Sequence, residues 1–107
     1  MEFHKLAEAL KALGDPTRLK IVALLRMRDC CVCELVPIFR ISQPSISKHM
    51  SRLKQANLVT EQRRGQWVFY SLNRAQLEEI GFSLQHLPDF SSEFEELEKK
   101  GLLVTCE

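Results

Sequence analysis

Arg40-Ile41-Ser42-Gln43-Pro44-Ser45-Ile46-Ser47-Lys48-His49-Met50-Ser51-Arg52-Leu53-Lys54 spells a short helix with one apolar edge and broad small-polar and basic faces. Ser42 or Gln43 can precede its first turn, and Pro44 falls where an early helical proline is tolerated. Ile46, Met50 and Leu53 recur at helical spacing and form the inward stripe. Ser45, Ser47, Lys48, His49, Arg52 and Lys54 lie largely on the other faces, and the helix is expected to end near Asn57. Just before it, residues 31–39 present Val32, Leu35, Val36 and Phe39 and read as another short helix. Pro37 inside that helix should remove one backbone bond and bend or shorten it. Two short helices joined by a tight turn are a helix-turn-helix, whose second helix enters the major groove of DNA.

Toward the N-terminus, Leu6, Ala9, Leu10 and Leu13 predict an amphipathic helix over residues 3–13. Gly14 stops it, Asp15 caps the next helix and Pro16 fits its first turn. That helix, over 16–27, has Leu19, Val22 and Ala23 at helical spacing, widened by Ile21, Leu24 and Leu25, so it is expected to be buried on most sides. Toward the C-terminus the period changes. Leu58 to Arg63 and Gln66 to Leu72 are rich in β-branched or aromatic residues, with Arg64-Gly65 as the hairpin tip between them. The hairpin makes the helix-turn-helix a winged one. Asn73 caps a helix with Leu77, Ile80, Leu84 and Leu87 that runs to Pro88. A last acidic helix over 91–100 starts at Ser91 or Ser92, with Glu95 completing a capping box. The 107 residues read as a single domain, mainly α with a β-hairpin wing.

The net charge of +1 conceals a strong asymmetry. Residues 40–74 hold seven Lys or Arg against Glu61 alone, whereas residues 75–107 hold two Lys against eight acids. The middle third is therefore the candidate polyanion-binding surface. Gln43, Ser45, Ser47 and His49 can meet base edges or phosphates, Lys48, Arg52 and Lys54 suit the phosphate backbone, and Arg63 and Arg64 at the wing can reach phosphates or the minor groove. His49 reads equally well as a structural residue, and Trp67, Phe69 and Tyr70 read as packing rather than as stacking platforms. No apolar run approaches the length of a membrane span, and Met1 to Lys5 lack the apolar stretch of a secretory signal, so a cytoplasmic location is expected.

Four cysteines are present, and Cys30, Cys31 and Cys33 lie within four residues of one another. A disulfide framework would spread them along the chain; a cluster points to a soft-metal site or a thiol switch. No Cys-x-x-Cys before a βαβ pattern, phosphate-binding glycine loop or catalytic triad signature is present, which argues against an enzyme.

Taken together, Leu13-Gly14-Asp15-Pro16-Thr17-Arg18-Leu19-Lys20-Ile21, Ser42 to Met50, Ala56-Asn57-Leu58-Val59 and Arg64 to Tyr70 resemble the ArsR/SmtB metal-sensing repressors over nearly the whole chain. The resemblance implies a homodimer packed through the first helix and the helix after the wing. It implies repression at a roughly palindromic double-stranded operator, released by metal. Cys31-Val32-Cys33-Glu34-Leu35 looks like the family's Cys-Val-Cys-Asp-Leu arsenic-sensing motif, with Glu34 in place of Asp. On that resemblance Cys31 and Cys33 are ligands for As(III) or Sb(III), which favour three sulfurs. The third sulfur is left open between Cys30, three residues before Cys33, and Cys106 in the tail. Residues two apart on a regular helix point about 200° apart, so binding at Cys31 and Cys33 is expected to distort or unwind the first turn of their helix. Two other effectors fit the same fold. Cadmium or lead would use the Cys-x-Cys element but, in the family, with N-terminal cysteines that residues 1–29 lack. A thiol oxidant would act on the cluster without metal.

Overall fold

A computed structural model of the chain describes residues 1–104. Its helices start where the sequence supplies a cap. Glu2, Asp15, Ser42 and Asn73 each accept a hydrogen bond from the backbone N–H three residues on, which opens α1 (Phe3–Leu13), α2 (Pro16–Met27), α4 (Gln43–Gln55) and α5 (Arg74–Gln85). Between them lie β1 (Cys30–Cys31), α3 (Val32–Phe39), β2 (Val59–Arg64) and β3 (Trp67–Leu72), and α6 (Ser91–Lys99) closes the order. The final helix departs from expectation. Phe90, not Ser91 or Ser92, is its N-cap and has no side-chain acceptor, and Asp89 takes the Ser91 N–H at 2.8 Å just before the helix.

The turn between α3 and α4 is short because Arg40 reverses the chain in the left-handed region, φ 57°, with its N–H bonded to the Val36 carbonyl at 2.8 Å. Asn57, φ 61°, does the same between α4 and β2, and asparagine tolerates this conformation better than most residues. α3 runs through Pro37, whose missing N–H leaves the Cys33 carbonyl without its helical donor.

The sheet has strand order β1-β3-β2, all antiparallel. β2 and β3 are the expected wing, turning at Gly65 with φ +64°. β1 is an addition: Cys30 pairs with Tyr70 and Cys31 with Phe69, so the cysteine segment is stitched to the wing.

The core joins Leu6 and Ala9 of α1, Ile21, Val22 and Leu25 of α2, Leu35 of α3, Ile46, Met50 and Leu53 of α4, and Ile80 of α5. The inward stripe of α4 is wholly buried. Each such side chain contributes about 1.5–3 kcal/mol through burial, which fixes the rotation of the helix and hence what it shows to solvent. Two expected stripes are only partly covered. On α2, Leu19 and Ala23 are exposed, and on α5, Leu84 is exposed beside buried Ile80, with no described element covering those side chains. α5 ends at Gln85, short of Pro88. α6 stands off the body, which stretches the described chain to 65 × 24 × 20 Å. No described helix is long and apolar enough to cross a membrane.

Candidate nucleic-acid interface and thiol cleft

With Ile46, Met50 and Leu53 turned inward, α4 leaves Gln43, Lys48, Arg52 and Lys54 exposed and Ser45 and Ser47 half-buried. His49 turns toward the α1–α2 corner. Its Nδ1 lies 3.2 Å from an Arg18 guanidinium nitrogen and 3.9 Å from an Asp15 carboxylate oxygen. Arg18 is itself anchored, its Nε donating to the Ala12 carbonyl at 2.6 Å. The Arg18 backbone N–H, and then the nearby positive charges, hold the Asp15 carboxyl below its ordinary value. Asp15 therefore does more than start α2: with Arg18 it ties that helix to the recognition helix through His49. The sequence reading of Asp15 as a cap alone missed this, since the partner sits 31 residues beyond Arg18.

Two of the candidate phosphate cations are already paired. Lys54 is bonded to Glu61 on β2, and that contact holds the Glu61 carboxyl below its usual range. Arg64 donates to Asp29 at 2.9 Å and stacks over the Phe69 ring at 4.7 Å. Arg63 is exposed on the outer end of β2. Asp29 escaped the sequence reading because it lies 35 residues from Arg64.

The cysteines divide by strand alternation. Cys30 joins the hydrophobic core, where burial first, then the Glu34 charge, pushes its thiol up. Cys31, only 3% exposed, faces the other way into a cleft between α3, the start of α4 and β3. Cys33, in the first turn of α3, lines the same cleft, and the sulfurs of Cys31 and Cys33 are bonded to one another with their Cα atoms 5.3 Å apart. The structure thus brings Cys31 and Cys33 together and sets Cys30 apart; Cys106 lies outside the described residues. Among the described residues no three His, Cys, Asp or Glu side chains are grouped to hold a metal ion.

The expectation that α3 unwinds on binding rested on placing Cys31 inside the helix, and that placement is corrected. Cys31 is the extended N-cap of the helix, φ −94° and ψ 161°, and so is not bound by helical spacing. Its N–H donates to Glu34 Oε1 at 2.9 Å, the return half of a capping box, which gives Glu34 its role in the motif. The two sulfurs meet while α3 keeps its first turn.

Gln43 and Ser47 of α4 and Trp67 of β3 line the cleft along with the cysteines. One wall is therefore the surface expected to read DNA.

Residues 15–61, which span the helix-turn-helix, match the family described as bacterial regulatory protein, arsR family. An arsenical resistance operon repressor of Staphylococcus xylosus is 39% identical over 84 residues, covering 78% of this chain and 81% of that protein. This chain belongs to the ArsR family. The chain is also similar to the transcriptional repressor SdpR of Bacillus subtilis (strain 168), 45% identical over 69 residues, 64% of this chain and 77% of that protein. A crystal structure described as a possible transcriptional regulator for arsenical resistance superposes with a TM-score of 0.68 at 29% identity, covering 73% of this chain and 81% of that one. The winged-helix reading stands with these relatives, as does the reading of a DNA-binding transcriptional regulator rather than an enzyme.

Proposed function

We propose that this ArsR-family chain is a homodimeric repressor that leaves its operator when As(III) or Sb(III) bonds the thiolates of Cys31 and Cys33. The observation that supports it is the meeting of those two sulfurs in a cleft whose other wall belongs to α4 and the wing. Soft trivalent centres select such thiolates. The family alone does not choose this effector, since SdpR is not named for arsenic; the cysteine pair does.

On DNA, Gln43, Ser45 and Ser47 face base edges or phosphates, and Lys48, Arg52 and Arg63 neutralise phosphates. Lys54 and Arg64 join them by exchanging Glu61 and Asp29 for the backbone. His49 serves as a positioning residue, held by Arg18. An effector atom bridging Cys31 and Cys33 opens the sulfur pair beside Gln43 and Ser47. Through β1 it also displaces the strand that flanks the wing, so the effector-bound state fits DNA less well. Cys30 is disfavoured as the third sulfur, because using it would require turning β1 over against its core, which leaves Cys106 as the candidate to test.

Equilibrium binding of arsenite to reduced protein tests the site. Cys31→Ser and Cys33→Ser are expected to weaken binding by about tenfold or more, and Cys30→Ser to leave it unchanged. Any loss in Cys106→Ser identifies the third ligand. Wild-type affinity retained in both Cys31→Ser and Cys33→Ser would overturn the assignment.

A further inference from the structure

Two apolar stripes of the described chain are uncovered, and they match in length and oppose in charge. The first is on α2, where Leu19, Ala23 and Met27 recur at every fourth position, with Leu19 56% and Met27 83% exposed. With Leu13 of α1 and Leu77 of α5 they line an open groove of about 480 Å³, well above the ~150 Å³ that takes a benzene ring. Ala23 leaves a hollow between the two longer side chains, and the stripe is about 12 Å long. Its borders are basic. α2 carries Arg18, Lys20 and Arg26 and no acid, Arg26 lies in the groove wall, and the Arg74 guanidinium reaches the Arg26 carbonyl at 2.7 Å.

The second stripe is on α6. Phe90, Phe94 and Leu97 fall on one side over about 10 Å, with Glu93 and Glu98 flanking them to either side. No residue of α6 is buried, and a helix of 9 residues is marginal in water by itself, so it needs a surface. The groove of its own chain is out of line. Phe90 stacks on Phe3 and starts α6 at one end of α1, whereas the groove lies at the other end, at Leu13, and α6 runs off the body.

We infer that, in the homodimer proposed above and independently of its effector, the α2 groove is the dock for α6 of the partner subunit. Phe94 of the partner subunit sits over Ala23, between Leu19 and Met27, and the acidic flanks of that helix face Arg26 and Arg74. This is a helix-in-groove contact, and two-fold symmetry makes it reciprocal, so each subunit covers the other.

Photo-crosslinking of the full chain tests the dock. Benzoylphenylalanine replaces Phe94, which is 59% exposed. Illumination is expected to give a covalent dimer whose link maps by mass spectrometry to residues 19–27. Ala23→Glu, at an exposed position, should abolish that link and weaken dimerisation about tenfold or more in sedimentation equilibrium. Arg26→Glu should weaken it as well, and Glu93→Lys with Glu98→Lys should restore it in the same chain, a rescue that mere loss of folding would not show. A link within one chain, a dimer linked only elsewhere, or charge reversals without rescue would overturn the dock and leave the homodimer standing. A wild type that sediments as a monomer would remove both.

Discussion

On the proposed reading, Lys54 and Arg64 would reach phosphate only by leaving Glu61 and Asp29, which would make those carboxylates regulators of DNA affinity. Glu61→Gln frees Lys54. Operator affinity should rise at low salt, and the plot of log affinity against log salt should steepen by about one unit, read by fluorescence anisotropy across a salt series. An unchanged slope would mean that Lys54 makes no phosphate contact. Cys30 calls for a different measurement. Its sulfur sits in the core with only the Arg28 carbonyl, 3.5 Å away, to receive its proton. Cys30→Ser should cost about 1–3 kcal/mol in urea unfolding through burial of a more polar group. Asp15 has a pH signature. Its carboxyl is held below the ordinary 3.8 by the Arg18 N–H, so its stabilising contribution is present above that value and lost as pH falls through the lower folded one. The stability gap between wild type and Asp15→Asn should be constant near neutrality and close below pH 3.8.

The elements were legible in proportion to how local their signals are. Ile46, Met50 and Leu53 repeat on one helix, and all three are buried, so α4 could be drawn from sequence with its polar face correctly turned outward. The wing was equally plain from its β-branched and aromatic runs around Gly65. β1 was not, since two residues show no period and their partners, Phe69 and Tyr70, lie some forty positions away. That omission is why Cys31 was assigned to a helix and the two sulfurs were expected to point apart. Ser42 tests the importance of the α4 start. Its hydroxyl accepts the Ser45 N–H at 3.3 Å, and Ser42→Ala should cost about 1 kcal/mol in denaturant unfolding and loosen the DNA-reading turn. A cost near zero would place the stability of that turn in the core stripe alone.

At the scale of the whole molecule, the described chain leaves apolar surface uncovered on α1, α5 and α6. Phe3 and Phe90 stack at 6.0 Å while each remains about half exposed, and Phe82 on α5 is 59% exposed. A two-fold partner packed on α1 and α5 would cover such a face and double the DNA contact. Phe82→Glu is expected to shift the sedimentation of the protein from dimer toward monomer without unfolding it, because the side chain is largely exposed and stacks on His86 outside the core cluster. The sequence implied this dimer by resemblance only; an exposed face becomes visible once the elements are folded, as the uncovered Leu19 and Met27 of α2 also show.

On the proposed reading, the Cys31–Cys33 pair governs release from DNA. Fluorescence anisotropy of reduced protein on a fragment from upstream of its own gene tests it most directly, with arsenite titrated into wild type and into the Cys31→Ser, Cys33→Ser double variant. Release from the wild type, with the double variant remaining bound at the same arsenite concentrations, is the result expected. Equal release from both, or none from a wild type that binds the fragment tightly, would contradict it.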